Sequence, residues 1–377
     1  MRVIKIFLLF VCCISLDVQS QTFLSDTLGI NEDGSVIIAK SLALPGWILG
    51  VDVDSTDNLL FIRYRNLSKN ETSLKNRGGI SVYSLADQRM LWQRPVNYFN
   101  QDPKLTSEGV LFVTMGKATS LLDLKTGNEV WKKKKMIPYW VDAKNRMFLA
   151  YKGSYMNGVS NELEGHSLAT GEKMWSRKMS HVYGWNESGL LDDSTRLIVS
   201  DGIHLVHMGN GEGPSYAMPT GASDYKEAVA LGALGVVTGV LTGFAAVPTG
   251  PKKVMELVSN VLSDDTVFYV ASRENLFCLD RQLQPKWGYP IPDGMGSRSH
   301  LFARGDSLYM INMGTGYRNT IFDTSEAYAH EYLRLKVGWP FIACFDKRKG
   351  EKVWFRQLSD KKEICLLYTS PSPRDCS

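Results

Sequence analysis

The sequence predicts an all-β chain built from repeated four-stranded units. A ten-residue motif recurs: Leu122-Asp123-Leu124-Lys125-Thr126-Gly127-Asn128-Glu129-Val130-Trp131, then His166 to Trp175 with Thr170-Gly171, then Phe345 to Trp354 with Asp346 and Gly350. Its spacing is regular, with 39 residues from Trp92 to Trp131, 44 from Trp131 to Trp175 and 41 from Trp175 to Tyr216. Between copies lie β-branched and aromatic runs bounded by Gly, Asp and Ser, such as Gly109–Thr114, Thr195–Ser200 and Thr266–Val270. Four short strands in a period near forty residues is the signature of a β-propeller blade.

Taken in order, the chain opens with Arg2 and Lys5, an apolar run from Ile6 to Leu16, and Val18-Gln19-Ser20. That order reads as an export signal over residues 1–20, with an apolar run too short to span a bilayer. Residues 34–44 contain a strand-like run, expected to close the ring by pairing with the C-terminal blade. A strand then opens three of the units, at Gly46-Trp47, Tyr139-Trp140 and Gly184-Trp185. Within each unit a strand ends at the Asp, a Thr-Gly turn follows, and the next strand carries the Trp. The glycine is there because a tight hairpin turn needs a residue that tolerates positive φ. Weaker copies run from Ser84 to Trp92 and from Asp280 to Trp287, and a degenerate one from Met208 to Tyr216. About six repeats are visible, and seven or eight are expected in the full protein.

The last two intervals, 71 and 67 residues, each fit one repeat plus an insertion, at 220–256 and 313–338. The first contains Ala228 to Val247, twenty uncharged residues with Gly235, Gly239 and Gly243 at every fourth position. A helix or helical hairpin packed on the propeller is the first reading, and membrane contact through 228–247 the second. The second insertion begins Gly314-Thr315-Gly316 and carries Glu326, Tyr328, His330 and Glu331, a local candidate for binding. It lacks the Gly-Lys-Ser/Thr ending of a phosphate loop. Residues 365–375 resemble a translated sequencing adapter, so 365–377 reads as a non-native tail. The repeat domain is then 21–364, incomplete at its C-terminus.

Composition narrows the function classes. Of 377 residues 44% are hydrophobic and 22% charged, which is globular composition. Lys+Arg exceed Asp+Glu by 43 to 39, a net charge of +4 that gives no case for nucleic acid as a partner. Lys132 to Lys135 read as a solvated strand edge that discourages edge-to-edge pairing. Only Cys278 and Cys344 lie in the body of the chain, expected as buried free thiols, and no Cys-x-x-Cys occurs. The six His form no His-x-x-x-His or His-Glu-x-x-His set, so no metal site is expected.

The Asp-x-x-Thr-Gly-x-x-x-Trp pattern resembles the PQQ-like, or quinoprotein-type, β-propeller repeat of exported bacterial proteins, from about Leu44 to Asp360. The resemblance implies that the Trp docks between neighbouring blades and that a small residue stands two positions before the Asp. That position holds Gly165, Cys278 and Cys344, and Leu121 departs from it. It therefore implies a structural, blade-docking role for Trp92, Trp131, Trp175, Trp287 and Trp354, with Asp123, Gly127, Gly171, Asp346 and Gly350, and assigns no catalytic residue. Each docked indole buries roughly 150–250 Å². The expected function is a noncatalytic binding or scaffold module at the cell envelope, whether periplasmic, outer-membrane-associated or secreted. Its partner is then a protein or a glycan, and no cofactor is needed. One alternative is a dehydrogenase that oxidises an alcohol or sugar with PQQ and calcium. Its adjacent Cys-Cys pair has a counterpart only at Cys12-Cys13, in the signal. The other is a carbohydrate-binding propeller with Trp47, Trp140 and Trp185 stacked on sugar rings.

Overall fold

The computed structural model describes residues 24–41, 44, 46–154, 158–182, 184–224, 252–255, 257–318 and 333–358, so the segment 228–247 and both chain ends lie outside the described residues. All regular elements among the described residues are strands, gathered into one two-stranded and seven four-stranded sheets. The chain divides into two compact units: Met1–Leu105 with Gly109–Phe112 and Leu122–Val130, and Thr106–Glu108 with Val113–Leu121 and Trp131–Ser377.

The first unit opens with a hairpin of β1 (Leu24–Ile30) and β2 (Val36–Ser41). This corrects the expectation for residues 34–44: among the described residues Val36–Ser41 pairs with β1 alone. The cause is a local turn. Gly34 takes φ 82°, its N–H donates to Asn31 O, and Ser35 N–H donates to the Asp33 carboxylate. The next sheet is a meander of β3 (Trp47–Asp54), β4 (Leu59–Leu67), β5 (Leu74–Ser84) and β6 (Arg89–Asn97). Leu59, Phe61, Ile80, Val82 and Val96 form its core with Val110, Phe112 and Leu122.

The second sheet comprises β7 (Gln101–Thr106), β8 (Gly109–Thr114), β9 (Ala118–Leu122) and β10 (Glu129–Lys134). The third comprises β11 (Met136–Asp142), β12 (Met147–Ser154), β13 (Gly158–Ser167) and β14 (Lys173–Lys178). The fourth comprises β15 (Glu187–Leu190), β16 (Thr195–Val199), β17 (Gly202–His207) and β18 (Ser215–Ala217). After β19 (Ala222–Asp224) and β20 (Lys252–Met255) comes a sheet of β21 (Leu262–Ser263), β22 (Val267–Ala271), β23 (Asn275–Asp280) and β24 (Pro285–Pro290). The final stretch holds β25 (Ser299–Arg304), β26 (Ser307–Asn312), β27 (Thr315–Arg318), β28 (Leu333–Lys336), β29 (Phe341–Asp346) and β30 (Lys352–Gln357). The last blade runs β25-β26-β29-β30, with β27 and β28 excluded from it.

Middle strands such as β9 and β22 are buried at every position. They read as continuous apolar runs because both faces of their sheet are covered. On β22, Phe268 and Val270 join the core shared with Leu197, Val199, Ile203 and Leu205 of the fourth sheet. The alternate residues Val267, Tyr269 and Ala271 join Leu301, Leu308, Met310 and Phe345 of the last sheet. The period of two thus feeds two cores at once. Outer strands keep an exposed alternation, and each motif Trp lies on one: Trp92 on β6, Trp131 on β10, Trp175 on β14, Trp287 on β24 and Trp354 on β30, with Tyr216 on β18. The protein is a β-propeller of four-stranded blades.

Two differences from expectation concern linkers. Trp185 precedes β15 instead of opening it. The two insertions also contribute strands to a common sheet, in the order β19-β20-β27-β28, where Val254 faces Arg318 and Met255 faces Tyr317. Strand pairing at their bases was not legible, because β19 and β20 are only 3 and 4 residues long. Asn312 anchors β27 to the last blade. Fully buried, it accepts from Gly314 N–H and from Ser297 Oγ, and donates to Ser297 O and Ser299 Oγ. Replacing Asn312 by Ala leaves several of these groups unpaired, and a loss of about 2–4 kcal/mol is expected in urea unfolding. Wild-type stability in Asn312→Ala would show that the cluster does not hold this region.

Candidate interaction surface

The motif residues meet across neighbouring sheets. Trp92 Nε1–H donates to Leu124 O, Trp131 Nε1–H to Leu168 O and Trp175 Nε1–H to Met208 O, each at 2.8 Å. In each case the acceptor lies three residues before a turn glycine, and the indole ring lies on that glycine. A Cβ added to Gly127 (φ 71°) would stand 2.7 Å from the Trp92 ring, and one added to Gly171 (φ 67°) 2.7 Å from the Trp131 ring. Gly211 meets Trp175 and Gly350 meets Trp287 in the same way. Glycine is required twice over, by the left-handed backbone and by the ring. Asp123 shapes its turn by accepting from Lys125 N–H, Thr126 N–H and Thr126 Oγ1. Asp346 accepts from Arg348 N–H and Lys349 N–H.

Two members differ. Trp287 Nε1–H has no acceptor among the described residues. The equivalent carbonyl, Lys347 O, accepts instead from Tyr269 Oη at 3.3 Å. Trp354 is 40% exposed and packs against Tyr309 of its own sheet.

Polar side chains resembling catalytic sets are also tied between strands. His204 is buried, with Nδ1 2.8 Å from Ser215 Oγ and Nε2 2.9 Å from Asp201. Burial pushes the Asp201 carboxyl up, but hydrogen bonds from His204, Ser180 N–H and Ser200 outweigh it and hold it below its ordinary value. Arg177 Nη2 donates to the same Ser215 Oγ at 2.6 Å and to Gly213 O and Pro214 O, while Nη1 donates to Leu205 O and Gly211 O. Arg177 thus fastens the fourth sheet to β14. His166 and Glu164 are similarly held, with Nε2 of His166 3.0 Å from the carboxylate and Lys173 Nζ donating to it. Among the described residues no three His, Cys, Asp or Glu side chains are grouped to hold a metal ion. Cys278 and Cys344 are free and buried, in different sheets.

Of the three strand-start tryptophans, two have occupied faces. The Arg196 guanidinium lies 3.5 Å from the Trp140 ring centroid, and Trp185 packs at 5.0 Å on Tyr139. Trp47 is 61% exposed. In the first unit an open groove of about 630 Å³ is lined by Leu74, Lys75, Asn76, Arg77, Asn97 and Phe99. Its wall is set by Tyr98 N–H donating to Asn76 O, Tyr98 Oη to Gly79 O, and Phe99 N–H to the Asn97 side chain. The Arg65 guanidinium stacks over Tyr98 and donates to Lys75 O. Phe99 is 66% exposed at the rim. The groove is not legible in the sequence, since its residues come from β5, the end of β6 and the β6–β7 link and form no motif. An exposed ring, two carboxamides and two cations suit binding of a partner that offers hydrogen-bond acceptors.

Three outcomes test these contacts. Gly127→Ala and Gly171→Ala should each cost about 2–4 kcal/mol in chemical unfolding, from the left-handed backbone and the ring clash together. Gly29→Ala, where nothing stands within 4 Å, should stay within about 0.5 kcal/mol of wild type. Trp175→Phe forfeits an indole hydrogen bond that Trp287→Phe does not, so it should be costlier by about 1 kcal/mol. The third concerns acid. Hydrogen bonds from Thr126 hold the Asp123 carboxyl below its ordinary value, and turn N–H groups of Lys349 and Arg348 do so for Asp346. A depressed folded-state value means stability that is full above the unfolded carboxyl range, near pH 4, and lost as pH falls through the folded values. Asp123→Asn combined with Asp346→Asn should flatten that acid limb, as read from thermal midpoints between pH 5 and pH 2.

Comparison with known proteins places the chain. Its fold is similar to the crystal structure of BamB from Moraxella catarrhalis, at 14% identity over 81% of this chain and 75% of that one, with a TM-score of 0.37. It is also similar to quinohemoprotein alcohol dehydrogenase ADHIIG from Pseudomonas putida HK5, at 11% identity over 83% and 68%, with a TM-score of 0.35. The computationally designed Ika8 protein is similar at 9% identity over 83% and 87%, with a TM-score of 0.34. No curated protein matches the sequence. The family model described as outer membrane protein assembly factor BamB matches residues 55–284, which is most of the chain, and the protein therefore belongs to this family of PQQ-like β-propeller repeat proteins.

Proposed function

We propose that the chain is a noncatalytic binding or scaffold propeller of the bacterial cell envelope, exported by residues 1–20 and engaging a protein partner. The family supports an envelope role, because its model is described by outer membrane protein assembly. The observation that carries the noncatalytic part is the use of reactive side chains. Asp201, His204, Ser215 and Arg177 are joined to one another and to backbone across strands. In this reading Trp92, Trp131, Trp175, Trp287 and Trp354, with Asp123, Gly127, Gly171, Asp346 and Gly350, dock blades and keep loops and rims fixed for recognition. The groove beside Phe99 is the contact surface of the first unit.

The test is cofactor addition. Purified protein incubated with PQQ and calcium should show no quinone absorbance after gel filtration and no dye-linked oxidation of alcohols or sugars. Stoichiometric uptake with turnover overturns the reading in favour of a dehydrogenase. Phe99→Ala with Arg77→Ala should leave the thermal midpoint unchanged and reduce crosslinking to an envelope partner in intact cells; undiminished crosslinking would remove the groove from the contact surface.

A further inference from the structure

The second unit carries a group of lysines that blade packing does not explain. Lys135 links β10 to β11 in a left-handed backbone conformation, φ 54°, that favours glycine. Its N–H donates to Lys117 O in the β8–β9 turn, and its carbonyl accepts from Gly153 N–H on β12. Lys152 stands beside Gly153, directly across from Met136. The Lys117 and Lys135 backbones are thus hydrogen-bonded where two sheets meet, with Lys152 next to Gly153, the other partner of Lys135, and Lys134 adjoining on β10. At the strand spacing of a sheet the Cα atoms of Lys117, Lys135 and Gly153 span about 10 Å. All four lysines are exposed, and none has a carboxylate at ion-pair distance among the described residues.

The other end of the same unit is built differently. There the turns neutralise one another in pairs: Arg146 with Glu108, Lys144 with Asp193, Lys347 with Asp264 and Arg348 with Asp306. The chain has carboxylates to place and does not place them beside Lys117, Lys134, Lys135 and Lys152. Protection of a free edge accounts for lysines on β10, the outermost strand of its sheet. It does not account for Lys117, in a turn between inner strands, or for Lys152 on β12. Cations left without carboxylates at one end of a unit raise the local potential, and an anionic partner lowers it.

We infer that Lys117, Lys134, Lys135 and Lys152 form a recognition surface for an extended acidic segment of a partner protein. A peptide fits better than a lipid surface. The row is short, and no large apolar side chain is exposed at 114–118, 132–137 or 150–153 to enter a bilayer. In an extended segment, alternate carboxylates fall about 7 Å apart on one face, a spacing that a row of this span matches. This inference rests on the reading of the chain as a binding module and names the chemistry of its partner.

The experiment measures fluorescence anisotropy of a labelled octapeptide of alternating Glu and Ser, with a Gln-Ser octapeptide as control. Vesicles of phosphatidylglycerol and phosphatidylcholine are tested in parallel. Wild-type protein should bind the acidic peptide, more weakly as salt is raised, and should ignore the Gln peptide. Combined Lys117→Gln, Lys135→Gln and Lys152→Gln should weaken binding about tenfold with an unchanged thermal midpoint. The same charge change made elsewhere, by Lys69→Gln, Lys286→Gln and Lys349→Gln, should not. Lys135→Gly should be at least as stable as wild type, since its backbone suits glycine, yet bind about two- to threefold more weakly. Equal affinity of the lysine triple variant and wild type overturns the proposal, as does binding to the vesicles without binding to the peptide. Such a failure with no quinone uptake leaves the scaffold reading standing; quinone uptake with turnover removes that reading whatever the peptide does.

Discussion

An indole lying flat on a neighbouring sheet's turn glycine is the contact on which the rest of this structure depends. A four-stranded antiparallel sheet has two apolar faces and cannot bury both within itself. Trp92, Trp131 and Trp175 solve part of this by reaching across to the next sheet and donating a hydrogen bond to its backbone. One contact combines buried aromatic area, a satisfied donor and a steric demand for glycine. It also sets spacing, because the acceptor carbonyl and the glycine lie three residues apart in one turn. The cores between sheets, where Phe268 faces one way and Tyr269 the other, then follow from the period of two.

The same economy shapes the polar groups. Arg177 lies two residues after Trp175 and joins five acceptors in the turn region that the indole covers. Asp201, His204 and Ser215 complete that joint. Side chains that elsewhere perform chemistry here hold sheets together.

Much of the fold was legible in the sequence because the contact is local in sequence. Asp, Gly and Trp stand within nine positions of one another in Asp123 to Trp131, so a repeated interface leaves a repeated motif. Even the degenerate copy ending at Tyr216 falls on the expected outer strand. What escaped notice depends on pairing between distant residues. The β20–β27 ladder joins two short strands that lack a motif, and the groove beside Phe99 is assembled from a strand start and a link. The lysines are a middle case. Lys132 to Lys135 form a run in the sequence, but Lys117 joins them only through its backbone bond with Lys135, and Lys152 only as the neighbour of Gly153, which bonds the Lys135 carbonyl. The run at 34–44 is legible as a strand, and the chemistry of its neighbouring Asp33-Gly34 turn decides its partner.

The pairing of Val254 with Arg318 ties off a long stretch of chain. Between those two points lie all of β21 to β24 and the first two strands of the last blade, so the ladder acts on them as a noncovalent clasp. Pulled from its C-terminal end, the protein would have to open this clasp before the enclosed blade could peel away from its neighbour. During synthesis, β20 must wait for β27 to emerge, which delays completion of this sheet until most of the chain has been made.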